Sequence, residues 1–182
     1  MVDKEKMPER RKPSAKAGKE AAPKTSCLVA VRLRGNAGVS KDLRATLNML
    51  RLRRRHNAVV LYSKPDTLGM LRKVKDYITW GEADKTLLKA LLAKRCRPLG
   101  TAELTAKYLK EKLEAPSIEK LAEMIERGEI PLAKLWAAGI PTVFHLHPPK
   151  GGFKRSLKRP IADGGELGYR GKEIASLVSK MT

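Results

Sequence analysis

Arginine and lysine are the residues whose type and spacing promise chemistry in this chain. Arg32, Arg34, Lys41, Arg44, Arg51, Arg53, Arg54 and Arg55 form one cluster, and within residues 32–55 only Asp42 opposes them. Arg72, Lys73 and Lys75 form a second cluster. Lys150, Lys154, Arg155, Lys158 and Arg159, strung along a glycine-rich arm, form a third. A guanidinium is a planar fork of donors that matches pairs of phosphate oxygens, so an arginine-dominated cluster points to phosphate contact rather than diffuse attraction. A run of charge is more often a solvated face, and that reading holds for the second cluster taken alone. The first and third point to RNA because the whole chain shares their bias. Among 182 residues, 39 Lys and Arg stand against 19 Asp and Glu, a net charge of +20. Such a surplus opposes compaction through self-repulsion unless a polyanion neutralises it.

Other chemistry is sparse. Gly35 and Gly38 lie between a strand pattern and a helix pattern, where bare N–H groups attract anions; a simple turn explains the spacing equally well. No G-x-x-x-x-G-K-[ST] phosphate loop is present, so nucleotide hydrolysis has no support. Gly151-Gly152 and Gly164-Gly165-x-x-Gly168, the latter followed by Arg170, allow close backbone approach to a phosphate or tight turns. Their basic surroundings favour close approach. His145 and His147 would share one face of a strand, but no cysteine or carboxylate joins them at ligand spacing, so no metal is expected. Cys27 reads as core. Cys96 stands between Arg95 and Arg97, which would lower its pKa, yet no base accompanies it. Two cysteines cannot staple a secreted scaffold of this length, which suits a reducing, intracellular setting. No active site or cofactor is expected.

The elements that must position these residues fall into four stretches. Residues 1–25 contain Pro8, Pro13 and Pro23, show no apolar period and have no apolar run of the kind a secretory signal needs. This tail is expected to stay disordered until it meets RNA or a protein neighbour, or to be a plain solvated terminus. Residues 26–82 have a βαβαβ rhythm. In Cys27–Arg34, Val29, Val31 and Leu33 alternate with Arg32 and Arg34, the pattern of a strand with one buried side. Ser40 then caps a helix to about Leu50, with Leu43, Leu47 and Leu50 as its apolar stripe and Lys41, Arg44 and Arg51 on a neighbouring stripe. A strand at 58–62, a helix carrying Leu68, Leu71 and Val74, and a short strand at 77–80 complete the unit. Residues 83–140 read as helical and carry Glu103, Glu111, Glu114, Glu119, Glu123, Glu126 and Glu129, so this stretch is expected to support the fold or to face protein. Residues 141–182 read as a strand at 142–146, a Gly-rich basic arm and a short C-terminal helix.

Several separated motifs, in order, resemble the L-thirty family of large-subunit ribosomal proteins. They are Val31-Arg32-Leu33-Arg34-Gly35, Leu50-Arg51-Leu52 with Ala58-Val59-Val60, Gly69 through Glu82, Leu146-His147-Pro148-Pro149-Lys150-Gly151-Gly152-Phe153, and Gly164-Gly165-Glu166-Leu167-Gly168. The added helices and the basic arm are similar to the archaeal branch, related to the eukaryotic L-seven members. The resemblance implies an α+β fold: a ferredoxin-like unit with a three-stranded sheet of antiparallel neighbours and two helices on one face. Spacing alone favours parallel pairing for strands joined through a helix. The resemblance also implies a non-enzymatic cytoplasmic protein bound to 23S rRNA close to 5S rRNA, among other large-subunit proteins. It assigns Arg34, Gly35, Gly38, Lys41, Arg44, Arg51, Gly69, Arg72 and the segment from His147 to Arg155 to RNA-facing positions.

The expected function is therefore structural: a protein that neutralises the phosphates of folded rRNA. Eight aromatic residues in the chain offer few platforms for stacking bases, which favours phosphate and ribose contacts over single-strand reading. An RNA-processing or ribosome-assembly protein is the alternative, and as an enzyme it predicts a carboxylate or histidine cluster beside the basic face. A membrane-surface protein predicts an amphipathic helix with exposed bulky apolar residues, which the sequence does not show, and no apolar run approaches the roughly 18 residues of a membrane span.

Overall fold

The computed structural model describes residues 26–98, 106–113 and 117–182, so the expectation for the 1–25 tail lies outside the described residues. Six strands form one sheet: β1 (Cys27–Arg32), β2 (Asn57–Tyr62), β3 (Ile78–Glu82), β4 (Val143–His145), β5 (Ser156–Pro160) and β6 (Gly165–Tyr169). Their order is β4-β2-β1-β3-β6-β5. β1 is antiparallel to both β2 and β3, whereas β6 runs parallel to β3 and to β5. The helices joining β1 to β2 and β2 to β3 therefore do not make parallel neighbours. The chain returns beside β1 in the opposite sense each time, and β2 and β3 flank it.

All six residues of β1 are buried, which corrects the expectation of one wet face. On one side Leu28 and Ala30 pack with Leu47 and Leu50 of α1 (Lys41–Met49) and its C-cap, and with Leu71 and Val74 at α2 (Pro65–Lys73). On the other, Cys27, Val29 and Val31 meet a layer that the first unit does not contain. It is built from α3 (Lys85–Arg95), α4 (Ala106–Leu113), α5 (Ile118–Glu126), α6 (Leu132–Ala137) and α7 (Ile174–Met181). Covering both faces removes the surface-to-volume handicap of a three-stranded unit standing alone.

Local sequence explains the ends of α1. Ser40 Oγ accepts a hydrogen bond from Leu43 N at the N-terminus. At the other end Leu52 N donates to Leu47 O and Arg51 N to Asn48 O, the paired bonds of a Schellman stop. This motif asks for a left-handed residue, usually glycine, and here Arg51 takes that place with φ 60°. Arg51 is therefore outside the helix and off the Lys41–Arg44 stripe on which the heptad-like spacing placed it.

The segment expected to be a free basic arm and a phosphate-approaching glycine run is partly strand. Gly165 permits it: a Cβ there would lie 1.8 Å from Arg159 O, so β5 and β6 close together only over a bare glycine. Gly81 does the same for β3, where a Cβ would lie 2.0 Å from Gly171 O. These two glycines serve strand packing rather than an anion. Gly151 and Gly152, with φ of +81° and +72°, form an open turn in which Gly152 N donates to Pro149 O.

Candidate nucleic-acid interface

The Arg53–Arg55 turn is the centre of the basic surface. It follows the α1 stop and tightens through Asn57 N donating to Arg54 O before β2 begins. All three arginines are exposed, as are Arg51, Lys41 and Arg44. Arg72, Lys73 and Lys75 are exposed at the end of α2, beside Gly69, whose missing side chain leaves a bare strip of helix. A helical glycine costs about 1 kcal/mol relative to alanine. Arg34 is half-buried, donating to Asp76 O and lying 5.1 Å from the centre of the Tyr77 ring.

Arg32 does not belong to this surface. It is 1% exposed, and its Nε and both Nη atoms donate to Arg34 O, Leu52 O, Arg53 O, Gly35 O and Asn36 Oδ1. A guanidinium has five N–H donors; all are engaged within the protein and none remains for a phosphate. Arg32 instead ties the Gly35 loop to the arginine turn and so shapes the face from beneath. Gly35 contributes its carbonyl to that tie, and Gly38, with φ +71° and open space around it, makes the turn into α1. Arg170 is likewise internal: it pairs with the buried carboxylate of Glu166, and its side chain is largely covered. Arg32 is thus not available as an RNA contact, which corrects that expectation, whereas Arg170 is held toward Glu166 through Nη2.

The third cluster is brought against the first. Phe153 packs on His56 in the arginine turn, and Lys150 N donates to Lys180 O of α7. Lys150, Lys154, Arg155, Lys158 and Arg159 remain exposed on this docked segment. His145 and His147 do not form a pair: His145 bonds Asn57 Oδ1 through Nδ1, while His147 lies past the end of β4 with Nε2 against Arg95 Nη1. Among the described residues no group of three or more His, Cys, Asp or Glu is placed to hold a metal ion. The flanking arginines do not activate Cys96. Burial pushes its thiol up to about 11, and the Cys27 thiol, buried in β1 and further opposed by Glu126, up to about 12.

Charge is segregated across the molecule. Apart from Arg170–Glu166, the ion pairs among the described residues join α3 and α5 or lie on α5 and its C-terminal turn: Lys85–Glu123, Lys89–Glu119, Lys120–Glu123, Arg127–Glu123 and Arg127–Glu129. None of the exposed cations of α1, the arginine turn, α2 or the docked arm pairs with a carboxylate there. Sequence reasoning missed the extension of this uncompensated surface by Lys94 and Arg97 at the end of α3, and by the exposed Trp136 between them and Arg51; Arg95 between the two is half-buried and donates to Thr182 O. The short basic run at 94–97 was the available signal; beside Cys96 it suggested thiol chemistry instead.

The model of the family described as ribosomal protein L30p/L7e matches residues 28–78, from β1 to the start of β3. The large ribosomal subunit protein uL30 of Ignicoccus hospitalis is 48% identical over 152 residues, covering 83% of this chain and 94% of that protein. This chain belongs to the uL30 family. The uL30 of Aeropyrum pernix is 44% identical over 83% of this chain and 96% of its own length, and that of Methanobrevibacter smithii is 42% identical over 83% and 97%. These uL30 relatives are archaeal large-subunit ribosomal proteins, not members of an enzyme class. The stretch matched by the family model contains α1, the arginine turn and α2, the elements that display the unpaired cations. No helix among the described residues is long and apolar enough to cross a membrane.

Proposed function

We propose that this chain is a structural constituent of the large ribosomal subunit that binds folded rRNA through phosphate contacts. The binding face comprises the Arg51–Arg55 turn, the exposed cations of α1 and α2, and the Lys150–Arg159 segment. The single observation that carries this reading is the segregation of charge. Ion pairs concentrate between α3 and α5, while among the described residues the exposed cations of α1, the arginine turn, α2 and the arm have no carboxylate partner, a state that a polyanion relieves. Membership of the uL30 family supports 23S rRNA as that polyanion, with 5S rRNA nearby, and the cytoplasmic ribosome as the location. Residues 26–82, a ferredoxin-like unit, carry most of the contacts; 83–140 turn the acidic layer toward neighbouring ribosomal proteins; 141–182 add the arm. No small-molecule substrate or membrane enters this role.

Sedimentation of a lysate containing the chain tests the proposal. It should travel with the large subunit at moderate salt and be stripped at high salt, as counterions compete for the phosphates. Migration as free protein at every salt concentration would refute it.

A further inference from the structure

Two neighbouring cavities, of about 610 and about 410 Å³, share Trp136, Pro141, Val143 and His145, so they are the two ends of one groove. The groove crosses the sheet at β4, its edge strand. One end is walled by Arg51, Arg53 and Arg54, the other by Lys94, Arg95 and Arg97; no carboxylate lines either end. Between them lies the indole of Trp136, 45% exposed. Met49 and Tyr169 are also exposed, but of these three large apolar side chains only Trp136 lines the groove, and its position is not loose: the Arg51 guanidinium sits 4.2 Å from the ring centre. Arg51 holds that position from the left-handed backbone, φ 60°, that ends α1.

Polar recognition is also present. His145 Nδ1 lies 2.9 Å from Asn57 Oδ1, which fixes the imidazole at the groove wall. A flat apolar floor, a fixed polar ring beside it and cations at both ends match a base whose two flanking phosphates run outward. A continuous duplex offers phosphates but no exposed base face, so it leaves the floor unused.

The geometry points to a nucleotide subsite: the groove receives one unpaired nucleotide extruded from folded rRNA, its base stacked on Trp136 and its flanking phosphates held by Arg53 and Arg54 on one side and Lys94 and Arg97 on the other. This rests on the rRNA-binding reading above and adds a shape requirement to it. Trp136 is thus the stacking platform that the small aromatic content of the sequence did not promise.

Two short RNA hairpins, identical except for one unpaired adenosine bulged from one stem, test this with the full chain. Affinity is read from the anisotropy of labelled RNA, and stacking from tryptophan emission. The bulged hairpin should bind about tenfold tighter and quench the emission, whereas the paired hairpin binds without quenching. Trp136→Ala should abolish the preference and the quench, and Trp136→Phe, which keeps a ring and guards against misfolding, should retain most of the preference. Equal binding of both hairpins, with no effect of Trp136→Ala, overturns the subsite but leaves phosphate binding standing. Failure of both hairpins to bind at moderate salt overturns the rRNA reading and the subsite with it. Quenching by a hexaglutamate peptide rather than by the bulged hairpin assigns the groove to protein and also overturns the subsite.

Discussion

The Phe153 ring lies nearly parallel to the His56 imidazole, with ring centres 6.3 Å apart and planes inclined by 14°. This stack fastens the glycine turn of the C-terminal segment to the arginine turn, two basic clusters almost a hundred residues apart in the chain. Without it, Gly151 and Gly152 leave Lys154 and Arg155 on a tether with wide conformational freedom.

Phe153→Ala should therefore cost about 1–2 kcal/mol of stability and expose residues 150–155 to protease, with a smaller loss of RNA affinity. Thermal denaturation and limited proteolysis check this. A variant that resists protease as well as the parent does would show that the stack holds nothing in place.

Arg32 and the exposed arginines should separate cleanly. Truncating Arg32 to alanine orphans the carbonyls of Leu52, Arg53 and Gly35 and should destabilise the fold by about 3 kcal/mol or more. Replacing Arg53 or Arg54 by alanine should change stability by no more than about 0.5 kcal/mol while weakening RNA binding. Denaturant unfolding of the three variants, read beside their RNA affinities, decides the matter; an Arg32→Ala protein of parental stability contradicts the account.

Burial, and after it the charge of Arg55, holds the His56 imidazole below its ordinary value of 6.5. The unfolded chain thus binds more protons at this site than the folded one, so stability is complete above the unfolded value and drains away as pH falls toward the folded value. The melting temperature should decline on acidification from about pH 7 to about pH 5. His56→Asn suits the left-handed backbone at φ 64° and should flatten that decline. A parental melting temperature that is level across this range would remove His56 from the explanation.

Gly165→Ala places a methyl group against the Arg159 backbone and should cost about 1–3 kcal/mol by prising β5 from β6. New cleavage near Arg155–Arg159, with the rest of the chain still protected, is the expected signature. Unaltered protection there would mean that the β5–β6 apposition tolerates a side chain.

Much of the fold was legible because its signals are local. The Ser40 cap, the leucines of α1 and the apolar runs of β1 and β2 fix those elements without reference to the rest of the chain. β5 was not legible: Ser156–Pro160 is exposed along most of its length, with no alternating apolar face, and its pairing depends on Gly165 in a later segment. Arg32 misled for a related reason. Alternation marks which side of a strand it occupies, but the five acceptors that bury it come from loops whose path no periodicity encodes. The basic turn and arm could be found from charge density, whereas the groove could not, since Arg51, Lys94 and Trp136 meet only after three separate segments have packed around the β4 edge.

The slope of log affinity against log salt, measured for the full chain on large-subunit rRNA, probes the electrostatic account most directly. The parent chain should lose affinity steeply, and the Arg51→Ala, Arg53→Ala, Arg54→Ala, Arg55→Ala combination should lower the slope by about 3 while the sheet stays folded. A flat response from the parent, or an unchanged slope in the folded quadruple variant, would contradict the assignment of these cations to rRNA phosphates.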